Sequence, residues 1–226
     1  MSPIEKFKAA LSGSEIQVLH QCLQQAMQPL PKESVPWYLG GSHTATGHLT
    51  PLHAKALQQL SAQWVQLPLG LRWDTQEGTP SSRSLALAEW AKQLHDQGHV
   101  TGWRNEKFSF WEDQVIGLGK HSLEPTSHLP AAFEMERSAF RFFGLRSHAV
   151  HVNGFTREGH VWCGRRAHTK ATDPGMLDNI AAGGLPAGEL LQICSVREMA
   201  EEAGISEALA MTAVAHGKVS TCRSVA

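Results

Sequence analysis

Four cysteines in 226 residues are too few and too scattered to staple a fold. Cys22, Cys163, Cys194 and Cys222 form no CxxC pair, which argues against a zinc ribbon or a dithiol redox motif and suits a reduced, cytoplasmic setting. No stretch approaches the roughly 18 consecutive apolar residues of a membrane span. The opening MSPIEKFKAALSG has no apolar core of the kind a secretory leader needs. Excess charge is missing too, because 20 Lys and Arg face 21 Asp and Glu for a net of −1. Nothing general therefore draws the chain to nucleic acid or to an anionic membrane, and any phosphate recognition has to come from a local site. Internal repeats and low-complexity tracts are also lacking. What remains has ordinary soluble composition, 42% apolar and 18% charged, and is long enough for one large or two small domains with a core of their own.

The pattern along the chain mixes helix and strand. Ser14 to Met27 sets Ile16, Leu19, Cys22 and Leu23 on one helical face, with Ser14 placed to cap it. Thr50 followed by Pro51 opens a second helix, TPLHAKALQQLSAQW, since proline at the first helical position loses no hydrogen bond. RSLALAEWAKQLHDQG reads as a third, stopped at Gly98. WVQLPLGLRW and KFSFWEDQVIGLG read as short strands, as do SHAVHVNGF and GHVWCGRR, which pair across a turn near Arg157 to Gly159. HSLEPTSHLPA, from His121, is the best boundary candidate. The coarse reading is an α/β (α+β) protein of two regions, residues 1–134 and 135–226.

The richest stretch is GGLPAGELLQICSVREMAEEAGI, from Gly183. Glu198, Glu201 and Glu202 stand at i, i+3 and i+4, so their carboxylates share one helical face. Like charges that close repel, and a solvated helix gains nothing by stacking them. Hard divalent cations take oxygen ligands in such an arrangement, Mg²⁺ foremost, because it binds a few carboxylates together with phosphate oxygens and water. Arg197 can steer a glutamate through its planar fork. Glu189 stands upstream, where it can support the metal shell. Gly183, Gly184 and Gly188 bracket Pro186 in a loop that needs unusual backbone angles and close approach to a ligand.

The full spacing, G-x5-E-x7-R-E-U-x-E-E-x-G-U with U aliphatic, is the Nudix box, and every specified position is filled from Gly183 to Ile205. Average residue usage puts a chance match at about one in ten million. Upstream, FRFFGLRSHAVHVNGF and VWCGRRAHTKATDPGMLDNIAAGG resemble the thiamine-pyrophosphokinase-related branch of the Nudix hydrolases, which carries an N-terminal domain of uncharacterised role. RSLALAEW to GHVTGWRNEKFSFW is similar to that N-terminal domain. The resemblance implies a Nudix α/β/α sandwich with a mixed sheet, preceded by a smaller α/β domain. It also implies a Mg²⁺-dependent diphosphatase, with Mn²⁺ as an alternative ion, that splits thiamine diphosphate or its oxidised forms into monophosphate and phosphate. Kinase activity is not implied, since no GxxxxGK[ST] loop occurs. In the family the box glutamates serve as metal ligands and as base, so Glu198, Glu201 and Glu202 carry both roles without separation.

Other residues are less specific. Arg165, Arg166 and Lys170 either grip the diphosphate or form a solvated loop. Asp173, Asp178 and Asn179 suit Asx turns. His148 and His151 read as structural, and Trp37, Trp64, Trp73, Trp90 and Trp103 as core. The resemblance also sets an expectation about the end of the chain. SEALAMTAVAHGKVSTCRSVA supplies one short helix, whereas relatives would run on through further strands and a closing helix, so the chain reads as shortened there. Uncovered sheet edges would then invite association, a homodimer included. Three readings follow: a diphosphatase of the thiamine-related branch, a non-catalytic shortened product, and a Nudix hydrolase acting on nucleoside diphosphate derivatives such as ADP-ribose.

Overall fold

Three times the chain sets a hydroxyl residue directly before a proline, and each pair starts a helix. The hydroxyl accepts a backbone N–H that the first turn leaves without a partner, and proline at the next position has no N–H to lose. The computed structural model describes residues 2–26, 29–75, 78–112, 130–169, 173–217, 219 and 221. It is a mixed α/β structure, and it divides into two compact units. One comprises 1–29, 149–185 and 190–223; the other comprises 30–148, 186–189 and 224–226.

Helix α1 (Pro3–Ala10) opens the first unit, with Ser2 and Glu5 exchanging hydrogen bonds in a capping box. α2 (Gly13–Ala26) follows. Its expected apolar face is there, but it is not buried: Ile16, Leu19 and Leu23 are all exposed.

The second unit is built on a four-stranded mixed sheet in the order β2-β1-β4-β3. β1 (Val35–Leu39) pairs antiparallel with β2 (Gly47–Leu49). Helix α3 (Pro51–Leu60) comes next, capped by Thr50. It stops at Ser61, short of Trp64, because the chain turns there into a hairpin of β3 (Trp64–Leu67) and β4 (Gly70–Trp73). β1 and β4 run parallel, with Trp37 opposite Leu71 and Leu39 opposite Trp73. One face of the pleat carries Trp37, Leu39, Leu71 and Trp73, all buried; Tyr38 and Arg72 point the other way. α4 (Pro80–Asp96) starts at the Thr79 cap, earlier than Arg83, and Gly98 follows it with φ of +80°. β5 (Lys107–Phe110) and β6 (Phe133–Glu136) pair antiparallel, and α5 (Arg137–Phe142) leaves from β6.

Four of the five tryptophans expected in the core, Trp37, Trp64, Trp73 and Trp90, pack against one another there, joined by Phe143; Trp103 is partly buried against them. The Trp37 indole also donates to the Phe143 carbonyl at 2.8 Å. Most of the boundary candidate HSLEPTSHLPA lies outside the described residues.

The chain then returns to the first unit. β7 (Ala149–Val152) is followed by a small hairpin of β8 (Gly154–Phe155) and β9 (Val161–Trp162), closed through Thr156 to Gly159 where the turn was expected. β10 (Gly164–Arg165) pairs with β11 (Leu177–Asp178), and β12 (Ala181–Gly184) pairs antiparallel with β7. Helix α6 (Leu191–Ala203) ends on Gly204 in the left-handed conformation, and α7 (Glu207–Ala210) follows. Ala181, Met199 and Ala210 form the buried centre, flanked by Val152, Val196 and Ile205. The α1 end of the chain belongs here as well. Phe7 packs on Phe155 with centroids 5.7 Å apart, and the Lys6 ammonium donates to the Arg157 carbonyl at 2.8 Å.

Candidate active site

The glutamate-rich segment folds as helix because its apolar positions recur at helical spacing. Cys194 and Met199 are buried from one side of α6, and Glu201 and Glu202 lie exposed. Glu198 is the exception, a carboxylate at 9% exposure. It fits because β12 passes the helix at a glycine. A Cβ on Gly183 would overlap the Glu198 carboxyl group, closer than real Cβ atoms come. The Glu198 carboxylate can therefore occupy this position only because residue 183 has no side chain.

Arg197 organises the carboxylates. Its Nη1 donates to Glu198 Oε1 at 2.7 Å and to Glu201 Oε2 at 3.3 Å, which offsets the repulsion between them. Its Nη2 reaches Cys194 Sγ at 3.6 Å, and that thiol in turn donates to the Gly184 carbonyl at 3.5 Å. Glu202 Oε2 accepts the Ala182 N–H at 2.9 Å, so a box carboxylate satisfies a backbone donor of β12. Glu189 lies ahead of α6, its N–H donating to Pro186 O at 3.2 Å.

The structure thus brings Gly183, Gly184, Arg197, Glu198, Glu201 and Glu202 together at one strand–helix contact. Arg165 and Arg166 sit on the β10–β11 hairpin. There the Arg165 guanidinium donates to the Gly175 carbonyl at 2.7 Å, and Arg166 forms an ion pair with half-buried Asp178. Partial burial pushes the Asp178 carboxyl up. The Arg166 hydrogen bond, the Asn179 N–H and the charge of Arg166 outweigh it and hold the group below the usual carboxylate value. Lys170 lies outside the described residues. His151 Nδ1 meets Asn179 Oδ1 at 2.9 Å, and Asn179 donates to Asn153 at 2.7 Å, so these residues brace the strands. The sequence carries no signal that the Ala182 N–H would meet Glu202 or that the Cys194 thiol would reach the Gly184 carbonyl, because both are contacts between separate elements.

By donor type the three glutamates suit a hard divalent cation, offering carboxylate oxygens with no thiolate or imidazole among them. Among the described residues, no three Asp, Glu, His or Cys side chains are gathered into a metal cage. Each glutamate instead holds a protein donor.

Residues 145–222 match the family model of the NUDIX domain. The chain is similar to Nudix hydrolase 24, chloroplastic, of Arabidopsis thaliana, with 40% identity over 146 residues covering 62% of this chain and 36% of that protein. Nudix hydrolase 20, chloroplastic, of the same plant shares 40% over 144 residues, 62% of this chain and 35% of its own length. An uncharacterized protein of Saccharomyces cerevisiae shares 31% over 115 residues, 49% of this chain and 29% of its own. The chain spans about a third of the length of the two plant relatives. Among the described residues, no helix is long and apolar enough to cross a membrane.

Proposed function

We propose that the chain is a Mg²⁺-dependent diphosphatase that cleaves a small organic diphosphate, thiamine diphosphate or its oxidised forms, to the monophosphate and orthophosphate. The observation that carries this reading is the Glu198 carboxylate, held under Arg197 in the space left by Gly183, with Glu201 and Glu202 on the same helix. A divalent cation bound by these carboxylates would neutralise charge building on the leaving phosphate and acidify a water. The chain's own residues supply orientation. Arg197 holds Glu198 and Glu201, and the Ala182 N–H holds Glu202, so their side chains lose little further freedom when substrate arrives. Arg165, Arg166 and Lys170 are the cations assigned to the diphosphate, and the first two are already stiffened by Gly175 and Asp178. The exposed thiols of Cys22 and Cys163 suit a reduced compartment such as the cytoplasm.

Phosphate release tests the reading, with thiamine diphosphate, its oxidised form, ADP-ribose and a dinucleotide as substrates, with and without Mg²⁺. The thiamine compounds should turn over fastest and only with the ion. Glu202→Gln keeps an acceptor for the Ala182 N–H and removes the charge, so it should fold normally and lose about a hundredfold or more in kcat. Activity that survives Glu202→Gln sinks the metal-ligand assignment. Faster cleavage of ADP-ribose moves the substrate to the nucleoside diphosphate derivatives. Soluble, folded protein that turns over no diphosphate is a non-catalytic product.

A further inference from the structure

The mixed sheet of the 30–148 unit has a second candidate site, independent of the glutamate helix. β1 and β4 are neighbours and parallel, and their chains leave in different directions: β1 loops back to β2, while β4 runs on to α4. Where adjacent parallel strands part in this way, a crevice opens beyond their carboxyl ends, and ligands of open α/β sheets bind there. Here Gly40, with φ of +53°, turns the β1 exit aside, and its N–H donates to the Trp73 carbonyl at 3.0 Å, tying the two exits together. A cavity of about 610 Å³ lies at that point, the size of a small-molecule site.

Its lining is unusual in charge. Arg72 on β4 and Asp74, the first residue past its end, flank buried Trp73 and are both exposed. Arg83 and Glu112 complete the set. A purely structural group of two cations and two anions would be expected to pair off. Among the described residues none of these four forms an ion pair, whether with another of them or elsewhere. The Arg83 side chain, among the described residues, makes only a long hydrogen bond, 3.4 Å to the Ala132 carbonyl, and its buried Nε has no partner there. Buried donors in native structures are nearly always satisfied. Two guanidinium groups call for an oxyanion; two carboxylates would repel a simple anion and call for a cation beside it.

We propose that this cavity binds a small zwitterion, a molecule with a phosphate or carboxylate group at one end and an ammonium-type donor at the other. Titration calorimetry on the full chain tests it with four probes: phosphoethanolamine, 4-aminobutyrate, inorganic phosphate and ethanolamine. At least one of the two zwitterions should bind one-to-one, roughly tenfold or more tighter than phosphate or ethanolamine alone. The better of the two identifies the oxyanion. Arg72→Ala and Asp74→Asn, both exposed substitutions, should each weaken binding by about tenfold without moving the thermal transition, and Glu202→Gln should leave it unchanged. No binding of either zwitterion, equal binding of phosphate alone, or binding indifferent to Arg72→Ala and Asp74→Asn would overturn the assignment. Loss of binding in Glu202→Gln would also overturn it, by returning the ligand to the glutamate site.

Discussion

Gly183 is where a missing side chain decides the position of a present one. Its φ is not positive, so alanine there strains nothing in the main chain, and the atoms nearest the added methyl all belong to the far end of the Glu198 side chain. Because that carboxylate can swing aside, Gly183→Ala should leave thermal stability within about 3 °C of wild type. The displaced carboxylate no longer meets Arg197 as before, and if Glu198 has the metal-ligand role proposed for it, a shift of about 1 Å should cost about a hundredfold in kcat. Melting curves beside phosphate release check the pair of outcomes. A large loss of stability would show that Glu198 has nowhere to move. At this scale the helical alignment of Glu198, Glu201 and Glu202 was legible, since their spacing is a property of one helix. Their partners were not. That the Ala182 N–H would meet Glu202, or that Gly183 would lie over Glu198, depends on how a strand passes a helix, and no period in the sequence encodes that.

Elements were legible where local chemistry starts or stops them. The Thr50–Pro51 cap and the hairpin from Trp64 to Trp73 follow from residues within a few positions of each other. The apolar pattern places the start of α4 late, at Arg83, because Ser81 and Ser82 extend no apolar period beyond the Thr79–Pro80 cap. The α2 stripe was read from its period, yet its exposure depends on neighbours that a period does not report. The β10–β11 hairpin is short, two paired residues a side, and relies on the Arg166–Asp178 pair as well as its ladder. The Asp178 carboxyl titrates lower in the native hairpin than its ordinary value of 3.8. The unfolded chain therefore takes up the proton first on acidification, and the stabilisation is present above that value and lost as pH falls through the lowered one. Asp178→Asn should cost about 1 kcal/mol at pH 7 and flatten the loss between pH 5 and pH 3. Urea midpoints at the three pH values measure it, and an unchanged slope would remove Asp178 from the acid response.

For the whole molecule, the compact units do not follow chain order. α1 and α2 join residues 149–185 and 190–223, while the mixed sheet and its tryptophan core form from 30–148. The parallel pairing of β1 with β4, and with it the charged cavity, joins segments with α3 and a hairpin strand between them, which is why no local reading could find it. The tie between α1 and the β8–β9 hairpin can be measured. Gly159, with φ of +98°, lies against Lys6 and Phe7, and Phe7 covers Phe155. Phe7→Ala should ease local opening of the β8–β9 hairpin by about 1 kcal/mol, seen as a roughly fivefold loss of amide exchange protection around Phe155 and Val161. Unaltered protection there would mean that α1 contributes nothing to the hairpin.

That nesting bears on synthesis. A ribosome releases the first helices long before the strands and the acidic helix they belong with, and the tryptophan-centred unit is nearly complete in the interval. Since polypeptides fold in units as they emerge, Phe7 has to wait, uncovered, for the roughly 150 residues that separate it from its partner ring, which makes that wait the moment at which a chaperone or a premature association would act.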